Sequence, residues 1–189
     1  MLRASLLGTL AAAFLALGCG SEPQRPPDVG TPGPPGPLLP LTLSQGVSLE
    51  IPGAWKLEQG PPEGPMLVKL TSGRATIAVW YYPRTEPLPR TRTDLEATRD
   101  SLVAAIKTRD PEYSVTSTRI LRDASRRGVE VIGTGTNSGF PRRARSLHLF
   151  GAGAEIVLDL YATPDQFATV DGDVFRDVAR SLRVRTPTS

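Results

Sequence analysis

The chain has 189 residues, 22% charged and 39% apolar, with a formal net charge of +3. That length holds one ordinary domain with extensions, and the composition is that of a packed protein rather than a disordered one. A charge so near zero gives no global electrostatic case for nucleic acid, and a single cysteine excludes an intramolecular disulfide.

The first segment, MLRASLLGTLAAAFLALGC, carries one positive charge at Arg3 and then a mostly apolar run from Leu6 to Leu17. The run is too short to span a hydrocarbon core, which takes roughly 20 residues of helix. A charged start, a short apolar middle and a small-residue exit are the marks of a secretory signal. The end of this segment, Ala16-Leu17-Gly18-Cys19, resembles a bacterial lipobox, with alanine at Ala16 where leucine is commoner. The resemblance implies that residues 1–18 are a lipoprotein signal peptide, cut after Gly18, and that Cys19 is lipidated at the new N-terminus. Two or more acyl chains anchor a protein stably. Gly20 follows, where enterobacterial lipoproteins retained at the inner membrane carry aspartate. That analogy favours the periplasmic face of the outer membrane.

Residues 19–40 read as a tether. Eight of the 19 prolines lie between Gly20 and Pro40, and apolar periodicity is nearly absent. Three Gly-x-y triplets from Gly30 are too few for a collagen helix. An extended proline-rich chain of this length reaches on the order of 60 Å at most.

Residues 41–185 read as the folded domain and 186–189 as a disordered tail. VSLEI alternates, placing Val47, Leu49 and Ile51 on one face; PGAW turns the chain; MLVKL alternates again; ATIAVWYY is apolar on both faces. A helix is expected next, with Thr93 and Glu96 as capping box, Leu95, Leu102 and Ile106 as its apolar stripe and Pro111 as its stop. YSVTSTRIL, GVEVIGTGT, ARSLHLF and AEIVLDLYA then suggest an antiparallel meander. A last helix is expected from Thr163 as cap, with Pro164 in its first turn and Gln166 closing the box. Its stripe is Phe167, Val170, Val174, Val178 and Leu182, with a break at Gly172 and Asp173 as second cap. Helices on a largely antiparallel sheet make an α+β sandwich.

This order, with GVSLEIPGAWKL near the domain start and FRDVARSLRV near its end, resembles the PsbP-like fold, including bacterial lipoproteins of the DcrB type. The resemblance covers roughly residues 41–185. It implies a non-catalytic module that binds other proteins, and it carries no functional residue across.

The chemistry of the domain is sparse. His148, the one histidine, shares a strand face with Ser146 and Phe150, and reads as a strand-face residue rather than a catalytic base. With no second histidine and no thiol in the domain, zinc sites and Cys/His catalysis are not expected, and no G-x-S-x-G elbow is present. Asp171, Asp173 and Asp177 lack the rest of a calcium loop. Gly133-Thr134-Gly135 and Gly151-Ala152-Gly153 lack the third glycine and following helix of a phosphate loop. A hydrolase would need an unforeseen Asp/Glu pair. No cofactor or metal is expected.

Arginine supplies the candidate surface: Arg142, Arg143 and Arg145 in one group, Arg126 and Arg127 with Arg122 in the preceding turn. Either these are solvated turns or they face an anionic partner. Alternate turns of a meander lie at opposite ends of a sheet, so the two groups need not merge. One or two rings of Trp80, Tyr81 and Tyr82 are available to a ligand. The expected function is that of a membrane-anchored envelope lipoprotein with a protein partner; the alternative is a carrier of a lipid or other small ligand in a cleft between sheet and helix.

Overall fold

The computed structural model describes residues 30–43, 45–123, 126–137 and 139–185. The expected signal segment, Cys19, the first part of the expected tether and the expected tail at 186–189 lie outside the described residues.

Two antiparallel sheets carry the fold. The small one has the order β1-β2-β10, from β1 (Leu38–Thr42), β2 (Val47–Pro52) and β10 (Arg183–Val184). The large one is built from β3 (Lys56–Gln59), β4 (Met66–Ser72), β5 (Ala75–Pro83), β6 (Ser114–Arg122), β7 (Arg127–Asn137), β8 (Phe140–Gly151) and β9 (Ala154–Ala162), ordered β3-β4-β5-β9-β8-β7-β6. Strands β6 to β9 form the expected meander, and α1 (Arg92–Arg109) carries the chain from β5 to the far edge. The fold is an α+β sandwich.

The large sheet has two unlike faces. Leu147 and Leu149 of β8, with Ile156, Leu158 and Leu160 of β9, pack into the main core with β2 and the C-terminal helical stretch. That stretch runs as α2 (Phe167–Val170), a π-helical turn at Asp171–Phe175, and α3 (Arg176–Ser181). On the opposite face, Val129, Val131 and Phe150 meet Leu95, with Leu102 and Ile106 beside them, so α1 covers the β6–β7 side.

Several boundaries differ from the expectations, each for a local reason. The ordered chain begins before residue 41: Leu38, Leu39 and Pro40 pair with β2, and the Gly33 N–H donates to Ser72 Oγ at 2.9 Å. Proline without an N–H is tolerated there because β1 is an edge strand. Strand β4 does not alternate strictly; a bulge between Met66 and Val68 buries both Leu67 and Val68. The cap of α1 is Thr91, not Thr93. Its hydroxyl accepts from the Asp94 N–H at 3.1 Å while Asp94 accepts from the Thr91 N–H at 2.9 Å. Glu96 instead pairs with Arg92 one turn back.

The last helix begins at Phe167, after a turn in which the N–H groups of Gln166 and Phe167 both donate to the Thr163 carbonyl; no side chain caps it. Asp173 does not recap it at Gly172. The π-helical turn keeps the helix continuous and inserts an extra residue per turn. The expected stripe is buried, and the extra residue adds Phe175, whose side chain is fully buried.

The same turn buries Asp171 against the sheet. Arg145 of β8 reaches Asp171 Oδ1 through Nη1 at 2.5 Å and Glu130 Oε2 of β7 through Nη2 at 2.5 Å, with its guanidinium 5.2 Å from the Phe175 ring. All three charged side chains are about nine-tenths buried, so each needs the others. Arg145→Met is expected to lower the unfolding free energy by about 3 kcal/mol, since removing one member of a buried ion group strands the rest. Arg119 and Arg176, which also reach Glu130 and Asp171, hold the loss near that figure. Urea unfolding of the two proteins measures it.

Candidate functional site

The expected arginine surface divides. Arg145 is inside the molecule, in the ion group above. Arg143 lies 4.7 Å over the ring of Phe167, and Arg142 sits near the β7–β8 hairpin, opposite Gly135. Arg126 and Arg127 lie at the other end of the sheet, in and after the β6–β7 turn. There an open groove of about 770 Å³ runs between β6 and α3, lined by Arg119, Arg126, Arg176 and Arg180. Arg126 donates to the Arg180 carbonyl at 2.7 Å, tying the turn to the helix end. Arg127 lines a smaller hollow beside Leu149 and Arg183.

The more structured feature is on the α1 face of the sheet. Strand alternation sends Ser146 and His148 to that face because Arg145 and Leu147 occupy the other. Asp159 lies directly across from Ser146, and Glu155 across from Tyr82. These residues form one hydrogen-bonded chain. Ser146 Oγ donates to Asp159 Oδ1 at 2.5 Å and stands 3.1 Å from His148 Nε2; His148 Nδ1 is 2.6 Å from Glu155 Oε1. Arg84, just beyond β5, pairs with Glu155 from the other side. Thus the sequence expectation for His148, a strand-face residue, holds, but the face is polar and largely buried.

The two carboxylates differ. Burial raises the Glu155 carboxyl, but hydrogen bonds from His148 and Arg84 outweigh it and hold the group below the usual carboxylate range. Burial pushes the Asp159 carboxyl up, and the Ser146 hydroxyl and the charge of His148 only partly oppose this. The ion pairs of the described residues include none to Asp159.

A cavity of about 280 Å³ opens over this network, under the C-terminal half of α1. Tyr82, Tyr113 and Tyr161 wall it, and Arg109 of α1 stands among its lining residues. Tyr113 fits only because β7 lacks side chains beneath it. A Cβ on Gly133 would lie 2.3 Å from the Tyr113 ring, and one on Gly135 2.8 Å from it. The Gly133-Thr134-Gly135 pair is therefore a seat for an aromatic ring, a close-approach role for strand glycine. Tyr82 was within reach of the sequence; Tyr113, Tyr161, Glu155 and Asp159 were missed. The available signal was AEIVLDLYA, where Glu155, Asp159 and Tyr161 share one face of an otherwise apolar strand.

Ser146, His148 and Glu155 have the connectivity of a hydroxyl nucleophile, a base and an orienting carboxylate. Two features separate them from that machinery. The Ser146 hydroxyl is donated to Asp159, and β8 pairs along its length with both β7 and β9, so its backbone N–H groups serve the ladders rather than a developing oxyanion. Asp171, from the acidic trio, is held by Arg145 and Arg176, and Asp177 by Arg180. Among the described residues no group of three His, Cys, Asp or Glu side chains is placed to hold a metal ion.

No family model and no curated protein matches the chain. Solved structures do. The chain is similar to cyanobacterial PsbP (CyanoP) from Synechocystis sp. PCC 6803, with a TM-score of 0.61 and 15% identity, over 82% of this chain and 98% of that one. It is similar to LpqN, involved in cell envelope biogenesis of Mycobacterium tuberculosis, with a TM-score of 0.54 and 14% identity over 78% and 90% of the two chains. It is also similar to the Saccharomyces cerevisiae Ran-binding protein Mog1p, with a TM-score of 0.52 and 6% identity over 78% and 95%. At these identities the likeness establishes the fold, and the domain has the PsbP-like fold.

The raised Asp159 carboxyl makes a stability prediction. A group whose folded pKa lies above its unfolded value of about 3.9 stabilises the fold while protonated and loses that contribution as pH rises through the folded pKa. Asp159→Asn keeps a hydrogen-bond acceptor for Ser146 without a charge to bury. It is expected to be more stable than wild type at neutral pH, and to lack the wild-type loss of stability just above pH ~4. Chemical unfolding across a pH series reads both effects.

Proposed function

We propose that this chain is a lipid-anchored accessory protein of the cell envelope that acts by binding a protein partner and not by catalysis. One observation carries the non-catalytic part: the only hydroxyl–imidazole–carboxylate chain among the described residues is closed on itself by Asp159. The anchor reading rests on Gly18 and Cys19 after the apolar run, and on the proline-rich stretch that follows. No helix among the described residues is long and apolar enough to cross a membrane. Two structural neighbours, LpqN, involved in cell envelope biogenesis, and Mog1p, which binds Ran, support an envelope setting and a protein-binding role for the same fold.

The face we assign to an anionic protein partner is the groove between β6 and α3. Strand β6 is an outer strand of the large sheet and mostly exposed, so its free edge offers backbone groups to an added strand. Arg119, Arg126, Arg176 and Arg180 give the adjoining groove more positive than negative side chains. Arg127, Arg142 and Arg143 lie outside it.

A second reading, a carrier of a small ligand, is favoured by the cavity under α1. Its charged lining suits a polar ligand better than a lipid tail, because an apolar chain would leave Asp159 and Glu155 desolvated without compensation.

Two outcomes test the first reading in the envelope. Palmitate-analogue labelling is expected to mark wild type and to be lost in Cys19→Ala; retained label contradicts the anchor. A photo-crosslinker at Thr118, in the groove, is expected to capture one protein species, and Arg126→Glu with Arg180→Glu is expected to cut that yield about tenfold. Absence of any captured protein, or an unchanged yield in the double variant, contradicts the partner surface.

A further inference from the structure

The cavity under α1 holds a buried carboxylate that no ion pair reaches. Glu155 has Arg84 on one oxygen and His148 on the other. Asp159, only 8% exposed, is in no ion pair: it accepts from Ser146 at 2.5 Å and Tyr161 at 3.4 Å, with the Trp80 indole and the charge of His148 also acting on it. Tyr82, Tyr113 and Tyr161 line the same cavity. Burial pushes each of these phenols up, and the negative charge of Asp159 acts on all three hydroxyls in the same direction, in keeping with their shared place in the cavity lining. Arg109, the exposed last residue of α1, acts on the same three phenols in the opposite direction, so a solvated cation stands at the mouth.

Three tyrosines lining a cavity with a buried carboxylate are the chemistry that recognises an organic cation. Ring faces attract an ammonium group, more strongly when water is excluded, and the carboxylate supplies its counter-charge. A simple anion would meet Asp159 and Glu155. A simple cation would satisfy Asp159 but would meet Arg109 on entry. The volume, about 280 Å³, has room for a ligand of on the order of ten non-hydrogen atoms if each fills about the ~30 Å³ of a water molecule.

We propose that this cavity binds a small zwitterion, with its ammonium head against Asp159 among the rings of Tyr82, Tyr113 and Tyr161 and its acidic group at Arg109. This deepens the ligand-carrier reading and rests on it; it does not depend on the protein-partner surface. The bound ammonium replaces the missing counter-ion of Asp159, so binding removes the cost of burying that charge. The acidic end meets a solvent-exposed arginine, so it adds only a modest increment.

Titration calorimetry on the full chain with phosphocholine, choline and inorganic phosphate tests the assignment. Phosphocholine is expected to bind, choline to bind about 2- to 5-fold more weakly, and phosphate to give no saturable heat. Asp159→Asn, which is expected to stay folded and to gain stability, is expected to weaken phosphocholine at least about tenfold. Arg109→Gln is expected to erase the difference between phosphocholine and choline. Phosphate binding as tightly as phosphocholine, choline equalling it in wild type, or undiminished binding by Asp159→Asn overturns the proposal. Failure of both ammonium probes to bind also overturns it, and native mass spectrometry of the protein extracted from its envelope then separates the two levels. A retained small molecule of another class leaves the carrier reading standing, whereas bare protein removes both.

Discussion

A buried guanidinium sets the geometry of this domain. Arg145 spans Glu130 on the neighbouring strand and Asp171 at the π-helical turn, with the Phe175 ring beneath it. Charges taken out of water hold only in good geometry, so this group fixes how the C-terminal helical stretch sits on the sheet. Because strand side chains alternate, fixing Arg145 on one face commits Ser146 and His148 to the other. The polar network of the α1 face is therefore a consequence of register, set by the ion group behind it.

The two faces use charge differently. Behind the sheet, each acid meets an arginine, and the cluster lies along the groove between β6 and α3. Under α1, Glu155 is paired with Arg84 and His148, whereas Asp159 is buried without an ion pair, its charge opposed by the hydroxyls of Ser146 and Tyr161, the Trp80 indole and the charge of His148 at a distance. A buried acid without an ion pair costs stability at neutral pH, and such a cost within a cavity is the kind of local conflict that functional sites carry. The helix contributes to this cavity. It packs on β6 and β7 through Leu95, Leu102 and Ile106, and its C-terminal half shares the cavity lining with Tyr82 of β5 and Tyr161 of β9.

Much of the fold was legible because it rests on local pattern. Val47, Leu49 and Ile51, the meander of four strands and the stripe from Phe167 to Leu182 all follow from period-two or helical spacing of apolar residues, and the three strand residues and the helical stripe are buried as read. The misreadings fall where local chemistry had two solutions. Thr91 with Asp94 and Thr93 with Glu96 offer the same cap, and the Arg92–Glu96 pair settles which forms. Gly172 reads as a break, yet the tertiary demand to bury both Asp171 and Phe175 turns it into a π-helical turn. The site was less legible. His148 and Ser146 meet Glu155 and Asp159 only through strand pairing, and Tyr113 joins them from a loop that two glycines of a different strand allow to approach. No spacing within one segment encodes that meeting.

The central claim is that one carboxylate on the α1 face is ion-paired and the other is buried without an ion pair. Carbon-detected nuclear magnetic resonance titration of the Asp159 and Glu155 carboxyl groups in the free protein measures this directly. The account predicts that Asp159 titrates above the ordinary carboxylate range and Glu155 below it. If both groups titrate together near the ordinary value of about 4, the asymmetry that defines the cavity does not exist and the account is contradicted.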